Sequence, residues 1–289
     1  MSKFLKLLRK KWFDWLLKIA LRLAAVLTIG VLFIIVGYIL IRGIPTLEAS
    51  MFAFKFNSDN QSMFPALIST VIITLISLVL AVPLGVFSAI YLVEYAKRGN
   101  KAVGVIRVTA ETLSGIPSIV YGLFGFLFFV IFMKWGNSVL AGSFTLAIMI
   151  LPLIMRTTEE ALKSVPDSFR EGSFGLGAGR LRTVFRIVLP SAMPGILAGV
   201  ILGIGRIVGE TAALLYTAGT VAQIPSGLNV FTGDVFWQDS ARTLSVHMYS
   251  LYREGLYIDK MYGTAVILLL LVIVLNTVST FIAKKLTKK

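Results

Sequence analysis

No cysteine occurs among the 289 residues, histidine occurs once, and no Gly-x-x-x-x-Gly-Lys-Ser/Thr stretch is present. Without cysteine there is neither a disulfide framework nor a thiolate metal site, and redox chemistry says nothing about the compartment. The single His247 is followed by Met248 and Tyr249 in a loop. No convergent metal ligands accompany it, so ordinary packing or solvated polarity is expected there. The missing phosphate loop leaves the chain without a means of hydrolysing ATP itself. Gly175, Gly177 and Gly179 imitate part of a dinucleotide fingerprint, but Arg180 stands in place of the third glycine and no strand precedes them. Charged residues make up only 15% of the chain, and the long apolar stretches contain just two, Arg206 and Glu210. A membrane-embedded hydrolase would want a histidine or a close carboxylate pair for proton transfer. An enzyme is therefore not expected.

What the chain has in quantity is apolar sequence: 57% hydrophobic residues and a mean hydropathy of +0.87. Six stretches, Leu23–Ile41, Phe64–Val93, Ile116–Met133, Val139–Met155, Pro194–Tyr216 and Gly263–Ala283, lie near the ~20 residues that a spanning helix needs. The fold class expected is all-α, a polytopic membrane protein with six transmembrane helices. Pro83 offers the long second stretch a place to kink. A charged segment precedes the first stretch and no small-residue cleavage site follows it, so it is expected to remain as a helix. Counted over alternate sides of the six stretches, 21 of the 28 Lys and Arg fall on the side of the termini, six on the other, and Arg206 lies within a stretch. By the positive-inside rule both termini face the cytoplasm. The same distribution accounts for the net charge of +14 without nucleic acid.

Arg206 and Glu210 are costly where they stand, since a charge near the bilayer centre costs about 2.5–3.5 kcal/mol on the insertion scale. Local pairing is a weak explanation: an i,i+4 pair contributes only ~0.2–0.5 kcal/mol, and base before acid is the less favourable order. A guanidinium keeps its charge when desolvated and can donate to two oxygens of a tetrahedral oxyanion at once. Arg206 is thus a candidate anion site, Glu210 a carboxylate that would moderate its grip, and Thr211 a further hydroxyl. Gly195, Gly199 and Gly203 lie four apart and leave one helix face bare enough for close approach of another helix. Continued by the two charges, that face is expected to place Arg206 at a subunit seam. Thr70, Thr74 and Ser77 either line the pathway or bond their own backbone, and Ser114 and Ser118 flank the Gly115–Pro117 break.

The fourth loop, Arg156 to Met193, carries helix signals. Pro166-Asp167-Ser168 reads as a start with acidic residues near the positive dipole end. Phe169, Ser173 and Leu176 share a face, and Gly175, Gly177 and Gly179 end the helix. A second segment, Arg180 to Leu189, is expected to stop at Pro190. Glu171-Gly172-Ser173, then Gly177, then Ile187-Val188-Leu189-Pro190 resemble the cytoplasmic loop of ATP-binding-cassette (ABC) importer permeases, Glu-Ala-Ala, Gly and Ile-x-Leu-Pro. All three spacings match, while Gly172 and Ser173 replace the two alanines. The resemblance implies that residues 167–177 form a coupling helix docking on a separate ATPase.

A second resemblance is narrower. Gly203 to Ala213 and Ser114 to Gly122 look like the paired permeases of the high-affinity phosphate importer, and Thr243 to Tyr249 with Glu159 to Pro166 look like the PstA type of that pair. It covers residues 64–283 and implies a type I importer core of five helices with one N-terminal accessory helix. The organisation expected is a basic N-terminus over residues 1–22, one permease domain over 23–283 with its coupling loop at 156–193 and external loop at 217–262, and a basic tail over 284–289. The implied partners are a PstC-like second permease, a PstB-like ATPase dimer that carries ATP and Mg, and an extracytoplasmic PstS-like phosphate-binding protein docking on the external loop. The cargo rests on the resemblance; sulfate, molybdate or phosphonate is an alternative, and an ATP-independent anion channel or carrier a more distant one.

Overall fold

The computed structural model of the protein describes residues 2–97, 99–225 and 238–287, and every regular element among them is helical. The first helix, α1 (Ser2–Gly43), is 42 residues long, so the basic segment and the first apolar stretch are one continuous helix. Its apolar residues from Leu21 to Ile41 are largely exposed. Near its end Tyr38 meets Tyr262 edge to face at 5.8 Å. At Gly43 a Cβ would run into the Tyr262 carbonyl and Val266. Two short 3-10 turns, Ile44–Thr46 and Ala49–Phe52, follow. Met51 and Met63 are fully buried beneath this segment.

Helix α2 (Phe64–Ile90) keeps Pro83 in its interior and runs into a π-helical turn, Tyr91–Tyr95. Helix α3 (Lys101–Ser114) starts at Asn100, whose side chain accepts from Ala102 N at 3.0 Å. Helix α4 (Ser118–Gly125) continues into a π turn, Phe126–Phe132. The expected third span is therefore one arm of a broken pair: α3 and the Ser118–Phe132 arm meet at 101°. Proline at 117 withholds an N–H and biases Ile116 away from helical backbone, so the chain turns at that point. Among the described residues five helices are long and apolar enough to cross a membrane, and the bent pair would make a sixth.

Helix α5 (Val139–Lys163) begins at Ser138, whose Oγ accepts from Ala141 N at 3.2 Å, and extends eight residues past the expected end at Met155. It is the centre of the core. Ile73 of α2 and Leu146, Met149, Ile150 and Ile154 of α5 are buried together with Ile207. Small residues let these helices approach closely. At Gly85 a Cβ would lie 2.8 Å from Ile154 Cγ2, and at Gly122 one would lie 2.7 Å from Ala213 Cα. Next come α6 (Asp167–Gly175) and α7 (Arg180–Thr183), which runs through a π turn, Val184–Val188, into α8 (Leu189–Val208). Pro190 does not stop a segment there. It occupies the first turn of α8, where its missing N–H leaves no bond unmade. After α9 (Ala212–Thr217), α10 (Leu244–Glu254) ends at Gly255 with φ 72°, and α11 (Ile258–Thr287) packs against α8 and α1. Gly227 and Gly233 of the long loop lie outside the described residues.

Candidate functional site

Gly195, Gly199 and Gly203 do form the tight face of α8, but the helix they admit is α5 of the same chain rather than a neighbouring subunit. A Cβ at Gly195 would lie 2.7 Å from Ala161 Cβ, one at Gly199 would collide with Thr157 Oγ1, and one at Gly203 would lie 3.3 Å from Ile154 Cδ1. Arg206 is half-buried, and among the described residues no ion pair engages it. It borders a cavity of about 410 Å³ between α3 and α5, together with Arg107, Glu111, Arg156 and Glu160. The α5 residues on this cavity run from Pro152 to Lys163, or roughly 16 Å of helix at about 1.5 Å per residue. The cavity thus extends from Arg206 toward the end of α5 that leads into α6.

Its walls are laced with ion pairs. Glu159 Oε1 lies 2.7 Å from Arg107 Nε and 2.6 Å from Lys163 Nζ, tying α3 to the last turn of α5. Arg156 Nε lies 3.0 Å from Glu160 Oε1, one turn on. The i,i+4 spacings of Arg156–Glu160 and Glu159–Lys163 were visible in sequence, whereas the approach of α3 follows from the bend at Pro117.

Glu210 departs from the expected stripe. Helix α8 ends at Val208, and Glu210 and Thr211 stand in the break before α9. The Glu210 carboxylate accepts from Ala213 N at 3.1 Å, and its backbone carbonyl accepts from Ser245 Oγ at 2.6 Å. It is 9% exposed. Among the described residues it makes no ion pair with Arg206. Glycine at 209 weakens the helix, and a carboxylate at the start of the next one satisfies N–H groups that the break leaves open. Glu210 therefore fastens α9 and α10 to the end of α8. Thr211 is half-buried, and its carbonyl accepts from Leu215 N at 3.0 Å.

The α6–α7 segment forms a compact hairpin. Gly177 has φ 81°, a left-handed conformation suited to glycine, and reverses the chain. Ser173 Oγ and Thr183 Oγ1 are 2.8 Å apart and buried, stitching α6 to α7. The serine that replaces alanine thus has a partner, and a Cβ at Gly172 would meet open space. Glu171 is exposed, as are Phe169 and, at 91%, Leu176, so the face expected to join Ser173 to these two splits into an inward hydroxyl and outward apolar groups. Ile187 and Leu189 are half-buried, Pro190 is exposed, and Val184 and Val188 supply the buried side of the π turn. A cavity of about 510 Å³ opens beside Phe169, Gly172, Leu176, Arg182 and Ile187.

The α2 stripe is buried between helices. Thr70 Oγ1 donates to Ala66 O at 2.7 Å and accepts from Leu244 N at 2.8 Å, while Ser77 Oγ donates to Ile73 O at 2.7 Å. The hydroxyls of Thr70 and Ser77 serve backbone groups, whereas Thr74 Oγ1 is buried without a hydrogen-bond partner. Ser114 Oγ donates to Glu111 O at 2.8 Å, and Tyr121 is buried with its hydroxyl on Leu113 O at 2.8 Å. His247 is fully buried, its Nδ1 3.3 Å from Arg242 Nη1, so Nδ1 accepts. Burial above all, and the Arg242 charge after it, lower its pKa to about 4, against a backbone hydrogen bond with Gln61 that favours the charged form. Burial likewise lowers that of Arg242. Among the described residues no cluster of His, Asp and Glu could hold a metal ion.

Residues 81–289 match the family described as binding-protein-dependent transport system inner membrane component. The chain belongs to this family. The permease is 35% identical over 286 residues to the probable ABC transporter permease protein YqgI of Bacillus subtilis (strain 168), covering 92% of this chain and 94% of that one. It is 36% identical over 220 residues to the phosphate transport system permease protein PstA 1 of Mycobacterium tuberculosis (strain CDC 1551 / Oshkosh), covering 76% and 70%. Its fold is similar to that of a bacterial ABC transporter involved in the import of the acidic polysaccharide alginate, with TM-score 0.61 and 15% identity over 98% of this chain and 99% of that one. The MetNI methionine ABC transporter gives TM-score 0.58 and 19% identity, over 78% and 94%. The chain is thus a multi-pass ABC importer permease, and the expected resemblance is borne out at the level of the family.

Proposed function

We propose that this permease forms half of the translocation pathway of an ATP-driven importer of inorganic phosphate. The observation that carries the reading is Arg206, a half-buried guanidinium free of ion pairs among the described residues, at the head of a cavity leading toward α6. A guanidinium offers a tetrahedral oxyanion paired donors and holds its charge where water is scarce. The phosphate assignment draws on the relatives named as phosphate permeases. Both termini and the α6–α7 hairpin lie on the cytoplasmic side in this reading, in a cell membrane, with the domain limits given above. A second, PstC-like permease faces this one, two PstB-like ATPases carrying ATP and Mg grip the hairpins at Glu171, Gly177 and the Phe169–Leu176 surface, and a PstS-like binding protein delivers the anion from outside.

Release requires that Arg206 not hold the anion too tightly. Three carboxylates, Glu111, Glu159 and Glu160, line the Arg206 cavity, and in this reading they moderate its grip. The test is uptake of labelled phosphate into liposomes containing the complete complex, with and without internal ATP and with sulfate and molybdate as competitors. ATP-dependent uptake that resists both competitors supports the reading. Uptake blocked by another oxyanion changes the cargo, and uptake indifferent to ATP discards the ATP-driven importer.

A further inference from the structure

Among the contacts that join the hairpin to the membrane helices, which include Arg180 over the Tyr95 ring at 5.8 Å, one buried side chain bridges three elements. Arg170 of α6 reaches Glu94, in the π turn that ends α2, with Nη2 2.7 Å and Nε 3.1 Å from Oε1. The same guanidinium donates to Leu162 O at 3.0 Å and Val165 O at 2.8 Å, carbonyls at the end of α5. The side chains are only 14% and 8% exposed. Arg170 also touches the exposed carboxylate of Asp167 at 3.2 Å. Three elements, α6, α2 and α5, therefore meet on a single planar cation whose fork geometry leaves little freedom for any of them to turn independently.

From that junction close packing continues to the candidate anion site. Helices α2 and α5 are packed together along much of their length, and α5 meets the glycine face of α8 at Ala161, Thr157 and Ile154, the last of them against Gly203, one turn from Arg206. We infer that the Arg170–Glu94 pair is the latch through which movement of the α6–α7 hairpin reaches α2 and α5 as one body, and through them Arg206. The inference rests on the reading of the hairpin as the ATPase-docking element. A packed, bistable junction transmits displacement, whereas a junction that can slip absorbs it. Arg170 and Glu94 are positioning residues in this scheme, acting on the transported anion only through the helices they join.

The lack of cysteine in this chain makes a reversible test available. In liposomes holding the full complex, ATP hydrolysis and phosphate uptake are measured together for wild type, Glu94→Gln, and the pair Glu94→Cys/Arg170→Cys, with the partners' cysteines replaced. The expected result is that both variants assemble and hydrolyse ATP while uptake per ATP falls by about five-fold or more, the lower range of allosteric coupling. Bridging the two cysteines with a short bis-methanethiosulfonate linker should restore that ratio, and cleaving the linker with thiol should abolish it again. An unchanged ratio in both variants overturns the latch. So does a parallel fall of hydrolysis and uptake that the linker does not reverse, or loss of assembly in both variants, since either makes the pair structural. Failure of the transport reading shows separately, as a wild-type complex without ATP-dependent uptake.

Discussion

Thr157 of α5 occupies the space into which a side chain at Gly199 of α8 would project, its Cβ 2.7 Å from where a glycine-borne Cβ would stand. Gly203, one turn on, faces the flexible Cδ1 atoms of Ile154 at 3.3 Å and Ile150 at 3.9 Å. The two glycines therefore differ in what they tolerate. Gly199→Ala should destabilise the helix pair by about 1–3 kcal/mol, as overpacking does, whereas Gly203→Ala should be mild. Thr157→Ala should partly rescue the first and leave the second unchanged. Thermal unfolding of the purified complex measures all three, and equal effects of the two glycine substitutions would refute the assignment.

Arg206→Gln should abolish uptake while the complex stays assembled, because the guanidinium has no ion-pair partner among the described residues to lose. Co-purification and uptake assays together decide this; failure to assemble would instead make Arg206 a packing residue.

Glu210 should behave otherwise. Glutamine retains an oxygen to accept from Ala213 N, so Glu210→Gln is expected to assemble with near-normal uptake. Glu210→Ala removes the acceptor that holds the start of α9 and should lower stability by about 0.5–2 kcal/mol, the range of a lost helix cap. Abolished uptake in a stable Glu210→Gln complex would restore the carboxylate to the anion site.

The α6–α7 hairpin yields a docking prediction. Glu171→Lys or Gly177→Asp should uncouple or release the ATPase, the former by reversing an exposed charge and the latter by also straining a backbone at φ 81°. Phosphate-stimulated ATP hydrolysis at the wild-type level in either variant would sink the docking claim.

His247 gives stability a pH dependence. Its pKa is about 4 in the folded protein and about 6.5 when unfolded, so between those values the unfolded chain binds more protons. Stability is then highest above the unfolded value and falls as pH drops from about 6.5 toward 4, by on the order of 3 kcal/mol in total. His247→Gln should flatten that decline. Unfolding midpoints of both proteins across this window measure it, and parallel slopes would exclude His247 as the cause.

Much of the fold was legible because membrane helices announce themselves by composition. The ends of α6 were read from the Pro166 and glycine stops and lie close to where those residues placed them. The glycine face was readable too, since spacing by four puts Gly195, Gly199 and Gly203 on one side of any α-helix. Periodicity could not foresee that the helix breaks after Val208, because Gly209 lowers helical stability only modestly and what decides the break is the docking of Glu210 on Ala213 and Ser245. Nor could it distinguish a partner subunit from α5 as the neighbour of the glycine face.

The sequence by itself determined that this is a helical membrane chain with one glycine-smoothed helix and an embedded Arg206, since these follow from hydropathy and from spacing along a single element, while its loop was legible only through its resemblance to importer permeases. Tertiary structure alone decided which charges meet. Arg206 joins Arg156 and Glu160 around one cavity rather than Glu210, and Arg170 finds Glu94, 76 positions away in the chain. Contacts of that range depend on the bend at Pro117 and on how closely glycines let α5, α2 and α8 approach, and one-dimensional periodicity carries no information about either.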